Sequence, residues 1–505
     1  MADGRALSDQ PASPASDPGA PRYLREKVHY PEPISPLHAS LFFPLVVAAH
    51  ARATADPTVL DIRVVDGFVY VRFDAARDAA RPRHEQDAAS LVAMWETTTI
   101  PTILADQQAT RDAGHDARPR RLLAELDRAL ARLERHLTWL FEALDADRAT
   151  MATLTEILAS RGVADAESVA VRVANHLPCR LTRIDALMAT MGGVGVWPPH
   201  DKGDDAGVLW SWVADRPLAL DLAAPTWAER PEMFAQAVQA AARQSSRIRP
   251  SEMDAATRQI LAEVLGEAAT PISDATRRIR TQVQDINHLV MEIDVGVLHG
   301  LLTRLGAALA QAGILATASD VFWLDGEELR AALDGRSQHE QVTRRRTAAE
   351  QRRDDETPDA LDGQPVHGPS LGLGVSLGAD QPQEPSDSQT DDGPSWRGLG
   401  ASHGKAIGRV RHVRRLEDIG AIVAGDIVVV TALLPTWTVA LSRAAAVVAE
   451  SGGMLCHAAI VARERAIPAV VGVRGALSAL TAGMLVEVDG KEGMVRPSGP
   501  AMKRK

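Results

Sequence analysis

Between Asp354 and Asp392 the 505-residue chain carries ten Asp or Glu and not one Lys or Arg. The same stretch is filled with Pro, Gly, Ser and Gln (GQPVHGPSLGLGVSLGADQPQEPSDSQ). Such a composition cannot bury enough apolar surface to offset the entropy of ordering it. A chain interrupted in this way cannot fold around one continuous core, so it divides into units on either side. Residues 341–396 read as an acidic, self-repelling flexible linker. Residues 354–392 account for ten of the formal net charge of −11 and leave −1 for all the rest. A near-neutral remainder argues against a general nucleic-acid binder and against an anionic-membrane binder, both of which need a basic surface.

Other features bound the class. Two cysteines, Cys179 and Cys456, make neither a disulfide framework nor a metal-binding spacing. The opening residues 1–22 (MADGRALSDQPASPASDPGAPR) are small, polar and Pro-rich, lack an apolar signal core and read as a disordered tail. No run approaches 18 uninterrupted apolar residues. The expectation is a cytoplasmic protein with no membrane contact.

Residues 23–340 are mostly helical in pattern. Leu122, Leu126, Ala129, Leu133, Leu137, Leu140 and Leu144 recur at three and four residues, which predicts a helix over about 118–146. Weaker periodicity predicts helices over 231–244, 251–267, 271–290 and 293–312. Asp66-Gly67 between the β-rich runs 62–65 and 68–73 predicts a hairpin. The Gly-, Pro- and Trp-rich stretch 190–212 is either a binding loop or an irregular connection packed on the helices. After the linker, short β-branched runs alternate with Gly turns at 406–413, 426–430, 446–448, 469–471, 484–488 and 493–496. One helix, about 456–465, lies among them. The fold class expected is multidomain α+β: a mostly helical N-terminal domain with a small hairpin, the linker, and a compact C-terminal α/β domain over 397–500.

One segment carries chemistry. Strand-like AAAVVAE ends at Glu450, Gly452-Gly453 make a turn, and a helix opens beside His457. An imidazole there faces unpaired backbone N–H groups and the positive end of the helix dipole, an environment suited to an anion. Two glycines allow close backbone approach to it. A histidine so placed is either a helix-capping polar residue or a nucleophile that accepts a phosphoryl group on a ring nitrogen.

The surrounding residues resemble a known family. Gly452-Gly453, His457, Ala458–Glu464 and Ile467–Gly472 are similar to the signature of the swivelling phosphohistidine domain of the phosphoenolpyruvate-utilising enzymes. Gly400–Gly408 resembles that domain's opening strand, Thr431–Trp437 its Thr-x-Pro-x-Trp loop with two extra residues, and Gly483–Gly490 its final hairpin. The resemblance covers about 100 residues and implies that His457 is the phosphorylated residue, that Gly452, Gly453 and Arg463 bind phosphate, and that Cys456 and Thr431 support the site. Leu455 and Cys456 stand where many members carry Thr or Ser. Arg463, nearly two turns along the helix, has a structural ion pair as its alternative, and Cys456 a small buried packing role.

Leu301–Leu333 resembles the helical segment of rifampicin phosphotransferase-like proteins, and Tyr30–Leu37 the start of the same substrate-binding domain. The family's ATP-grasp domain and its (β/α)₈ barrel have no counterpart among these 505 residues, no segment is suggestive of a P-loop, and no metal site is read. The resemblance therefore implies a phosphotransferase of the dikinase type that is charged by a separate ATP-grasp subunit, where ATP and Mg²⁺ would bind. It also implies an activity split between subunits, similar to phenylphosphate synthase, and a hydroxyl-bearing small molecule as the acceptor. The alternatives are a regulatory phosphocarrier and a degenerate paralogue with a silent histidine.

Overall fold

The computed structural model describes residues 23–26, 30, 33–74, 78, 88–113, 118–164, 166–174, 220–232, 255–351, 360–361, 395–414, 418, 421–432, 443–452, 459, 462–463 and 467–498. The expected loop 190–212, and the expected helix 231–244 beyond residue 232, lie outside them. Two bodies of structure are present, one helical and one built on a sheet, as the α+β expectation has it.

In the helical body, α1 (Pro36–Thr54) starts at Ser35, whose hydroxyl accepts from His38 N, with Pro36 in the first turn where its missing N–H costs nothing. The hairpin forms as strands β2 (Leu60–Val65) and β3 (Phe68–Phe73). Asp66 and Gly67 both take positive φ, 54° and 83°, as a two-residue turn matched to strand twist requires. Strand β1 (Tyr23–Arg25) pairs antiparallel with β3. Helix α2 (Ala88–Met94) passes through a π-helical turn, Trp95–Thr99, into α3 (Ile100–Ala113).

The long helix α4 (Pro119–Ser160) buries the stripe from Leu122 to Leu144 against α1 and the later helices. It runs past the expected end at 146 because Leu154 and Leu158 join a second apolar cluster with α5 (Ala166–Ala174) and α6 (Ala255–Leu265). Helix α7 (Ala269–Asn287) continues through a second π-helical turn, His288–Asp294, into α8 (Val295–Gln311). The run Thr257–Gln311 is long and apolar enough to cross a membrane, but 72% of its most apolar window is buried inside the molecule, as in a core helix.

Helix α9 (Gly326–Ala332) is capped by Asp325, and α10 (His339–Gln351) follows. The expected boundary at 340/341 therefore falls inside a helix, and the linker read over 341–396 begins too early. Arg345 Nη1 donates to Glu328 (2.5 Å) and to the Trp323 carbonyl (2.7 Å), Arg346 donates to Asp320 (2.7 Å), and Val342 is buried. Strand β4 (Ala360–Leu361) then pairs with β1, giving a four-stranded sheet in the order β2-β3-β1-β4.

Buried polar groups tie the helices together. The second π turn places Asp294 Oδ2 2.8 Å from His136 Nδ1 on α4, while Asp106 on α3 lies 3.0 Å from His136 Nε2. Gln107 Nε2 donates both to Asp294 and to the Leu289 carbonyl within that turn, each at 2.9 Å. Burial alone would lower the His136 pKa, but the two carboxylates hold it above its ordinary value. His38 is the opposite case. Its Nδ1 accepts from Leu222 N (3.1 Å), which requires a neutral ring, and burial pushes its pKa down to about 4.

The C-terminal body contains β5 (Trp396–Arg397), β6 (Leu399–Ser402), β7 (Lys405–His412), β8 (Ile427–Val430), β9 (Ala446–Ala449), β10 (Ala469–Val471), β11 (Leu485–Asp489) and β12 (Met494–Pro497), with the short helix α11 (Ala476–Ala479). Strands β7 to β10 run parallel, and the other pairs are antiparallel, in the order β5-β12-β11-β7-β8-β9-β10-β6. Strands β5 and β6 occupy opposite ends of that order, yet only Gly398 separates them in sequence. The sheet must therefore curl until its edges meet. Strands β8 and β9 are buried on both faces, as parallel strands usually are. Ile427, Val429, Ala446 and Val448 face Val486, Val488 and Val495 of β11 and β12, while Val428, Val430, Val447 and Ala449 face the helical residues Ala459 and Ala462.

Two outcomes follow from these contacts. A neutral His38 contributes stability that is fully present above pH 6.5, because the unfolded ring binds the proton more readily, and that is lost as the pH falls toward about 4, about 3 kcal/mol in all. His136 has the opposite sign, its contribution being complete below pH 6.5 and lost as the pH rises through its raised pKa. Amide exchange of α1 and α8 across pH 4–9 should show His38→Gln flattening the acid limb only and His136→Gln the alkaline limb only. Separately, a Cβ at Gly490 would collide with the Ser402 carbonyl, where backbone cannot yield cheaply. Gly490→Ala should lower the stability of the C-terminal domain by about 3 kcal/mol in urea unfolding, a loss typical of overpacking in a tight core, and should leave the helical domain unchanged.

Candidate functional site

In open parallel sheets, ligands gather at the carboxyl ends of the strands, where the connecting loops diverge. Here the carboxyl ends of β8, β9 and β10 deliver Thr431, Glu450–Gly452 and Gly472 to one edge. The ladder holds these exits side by side. Glu450 N donates to Val430 O (3.0 Å), Ser451 N to Thr431 O (2.9 Å), and Val473 N to Ala449 O (3.0 Å).

Gly452 has φ +117°, a conformation that side-chain-bearing residues rarely adopt, and Gly472 has φ +73°. A Cβ at Gly472 would lie 3.5 Å from the Gly452 carbonyl, so the two turns face each other closely. Each glycine releases the chain sharply from its strand.

Of the residues expected from the sequence to form the site, the structure brings Thr431 and Gly452 together through the Ser451–Thr431 bond. Thr431 contributes its backbone carbonyl there, and its side chain is half-buried. His457, Gly453 and Cys456 lie outside the described residues. Arg463 is helical and half-buried, and its Nη1 donates to the Ala401 carbonyl on β6 (2.9 Å). That bond fastens the helix to the sheet across its neighbour β10. Among the described residues no group of three or more His, Cys, Asp and Glu could hold a metal ion.

Sequence reasoning passed over Glu450. Its Oε1 accepts from Leu477 N (2.9 Å) in the first turn of α11, where Gly475 offers no side-chain cap. The one available signal was its place directly before Ser451-Gly452-Gly453. His403 is also a member of this domain, exposed on the β6–β7 turn, and it makes no part of the strand-end edge.

Comparison with known proteins agrees with this geometry. Residues 422–493 match the family described as PEP-utilising enzyme, mobile domain. Phosphoenolpyruvate synthase of Pyrococcus furiosus is 46% identical over 99 residues, which is 20% of this chain and 12% of that protein. Chondramide synthase of Chondromyces crocatus is 32% identical over 298 residues, 54% of this chain and 8% of that protein. An uncharacterised protein of Mycobacterium tuberculosis is 34% identical over 293 residues, 57% of this chain and 31% of that protein. The chain thus spans less than a third of the length of these curated relatives. Its C-terminal domain is a PEP-utilising enzyme mobile domain, and through that domain the chain is homologous to the phosphoenolpyruvate synthase family.

Proposed function

We propose that this chain is the carrier and acceptor-binding component of a phosphotransferase in which His457 carries the phosphoryl group. The observation that supports it most is Gly452, at positive φ where the chain leaves the carboxyl end of β9, inside the segment that matches the mobile-domain family. In the first half-reaction a ring nitrogen of His457 attacks phosphorus in a nucleotide held by a separate ATP-grasp subunit, where ATP and Mg²⁺ bind. The P–O bond to the leaving group breaks with its electron pair going to that oxygen, and the ring gives up its proton. In the second half-reaction a hydroxyl oxygen of a small-molecule acceptor attacks the phosphorus. The P–N bond breaks back onto the ring, and the hydroxyl proton is released.

The helical domain is the acceptor-binding unit in this reading, which the likeness of Leu301–Leu333 to rifampicin phosphotransferase-like proteins supports. Residues between Leu361 and Ser395 act as the tether, so that its length sets the effective concentration of the carrier at each station. Neither nucleic acid nor membrane takes part, and the reaction is cytoplasmic.

Two experiments test the reading. The chain mixed with its ATP-grasp partner and ATP labelled at each phosphate in turn should acquire acid-labile, alkali-stable label, and His457→Ala should acquire none. Label that persists in the alanine variant, or no label with a partner of proven ATP turnover, overturns it. Deleting residues 366–390 should leave the labelling of His457 intact yet slow delivery to the acceptor at least about tenfold, as expected when a tether no longer spans both sites. Single-turnover kinetics separates the two steps.

A further inference from the structure

We propose that Glu450 is a positioning residue for the carrier histidine, acting through the turn Glu450–Gly452 at which the chain leaves β9, upstream of His457. The inference rests on the phosphohistidine reading above and extends it to a residue seven positions upstream.

Four bonds fix residues 449–452 among the described residues. Glu450 N and Ser451 N bind the carbonyls of Val430 and Thr431 on one flank, while the Ala449 carbonyl and the Glu450 carboxylate receive Val473 N and Leu477 N on the other. Three of these are backbone to backbone and belong to the sheet, whatever the side chains are. The fourth is the Glu450 carboxylate, so it is the contact by which the sequence itself sets the loop's base.

Its partner is as informative as its position. Leu477 N is an orphan donor at the start of α11, and Gly475, with φ +69° and no side chain, cannot satisfy it. Glu450 supplies the cap from 27 residues away. The turn after β10 and the loop after β9 are thereby locked as one unit, with Gly472 and Gly452 facing each other between them. A catalytic group a few residues downstream of such a turn needs a turn that does not shift, because displacement of about 1 Å is enough to cost a large factor in rate. The carboxylate touches neither the phosphoryl group nor His457 in this account. It holds the chain that presents them.

Phosphoramidate, a small phosphoryl donor, tests this without the partner subunit. A histidine ring nitrogen attacks its phosphorus, the P–N bond breaks, and ammonia leaves with the ring's proton. Exposed His403, on the β6–β7 turn of the same domain, serves as an internal reference in the full chain. The readout is the ratio of labelling rates, His457 to His403, by mass spectrometry at neutral pH. In the wild type the ratio should exceed one. Glu450→Ala should lower it about tenfold or more, whereas Glu450→Gln, whose amide oxygen still accepts from Leu477 N, should stay within about threefold of the wild type. That rescue is what a role in charge or bulk folding would not give. Should Glu450→Ala fail to fold by near-ultraviolet circular dichroism, Glu450→Asp takes its place, since it retracts the acceptor by one methylene and should also lower the ratio. An unchanged ratio in a folded Ala or Asp variant, or a Gln variant as slow as Ala, overturns the role of Glu450 and leaves the phosphohistidine reading standing. A wild-type ratio no greater than one overturns both.

Discussion

The C-terminal domain depends on a closure that admits no side chain. Strands β5 and β6 sit at the two ends of an eight-strand order and are joined through Gly398 alone, so the sheet's edges have to meet within the reach of one residue. Where they meet, backbone touches backbone. A Cβ on Gly400 would fall 2.6 Å from the Gly490 carbonyl, and one on Gly398 would press on the carbonyl of Val471. Gly398 N donates to Gly493 O (2.9 Å), and Gly490 N to Gly404 O (2.9 Å), so the seam is hydrogen-bonded as well as close. With the seam closed, β8, β9 and β10 are covered on both faces and their carboxyl ends are left as the open edge. The candidate site lies at those carboxyl ends.

How much of this was legible in the sequence follows from how local each cause is. The stripe from Leu122 to Leu144 and the Asp66-Gly67 turn are local patterns, and both elements form where they were read. The β-branched runs after the linker are local too, and each becomes a strand. The continuation of α4 to Ser160 was hidden because its last two turns carry fewer leucines and face a different cluster. Helix α10 was hidden for another reason. The stretch His339–Gln351 has no apolar stripe, and its order comes from Arg345 and Arg346 meeting acidic residues 17 to 26 positions earlier. Pairings of that kind leave no trace in composition, which is why a boundary drawn on composition and charge fell inside a helix.

The candidate site divides along the same line. Gly452 was legible because a Gly-Gly turn after a strand announces positive φ, and the structure gives it. Glu450 was not, because its partner is a helix start 27 residues on that has no cap of its own. Arg463 was read as facing phosphate or a structural ion pair, and the structure adds a bond to the Ala401 carbonyl that neither reading contained. His38, His299 and Leu222 make the same point in the helical domain. His38 accepts from the Leu222 N–H and His299 donates to the Leu222 carbonyl (2.7 Å), so two rings from α1 and α8 grip the two peptide groups of one residue, 184 and 77 residues away.

These ties give the two bodies different sensitivities. The sheet domain fixes its site edge with backbone hydrogen bonds and glycine contacts, none of which titrates near neutral pH, together with a carboxylate on a backbone donor. The helical domain fixes its elements with ionisable groups: His136 between two carboxylates and His38 on a peptide N–H in the interior, and, at the surface, Glu229 held at about 2 by the hydrogen bond from His299. The π-helical turn at His288–Asp294 belongs to that scheme, since the wider turn carries both Asp294 and the Leu289 carbonyl to the Gln107 amide. Contacts of the first kind hold the strand-end edge in one geometry whatever the pH. Positioned polar side chains tie the helices with more direction, but each ionisable one makes the stability depend on pH.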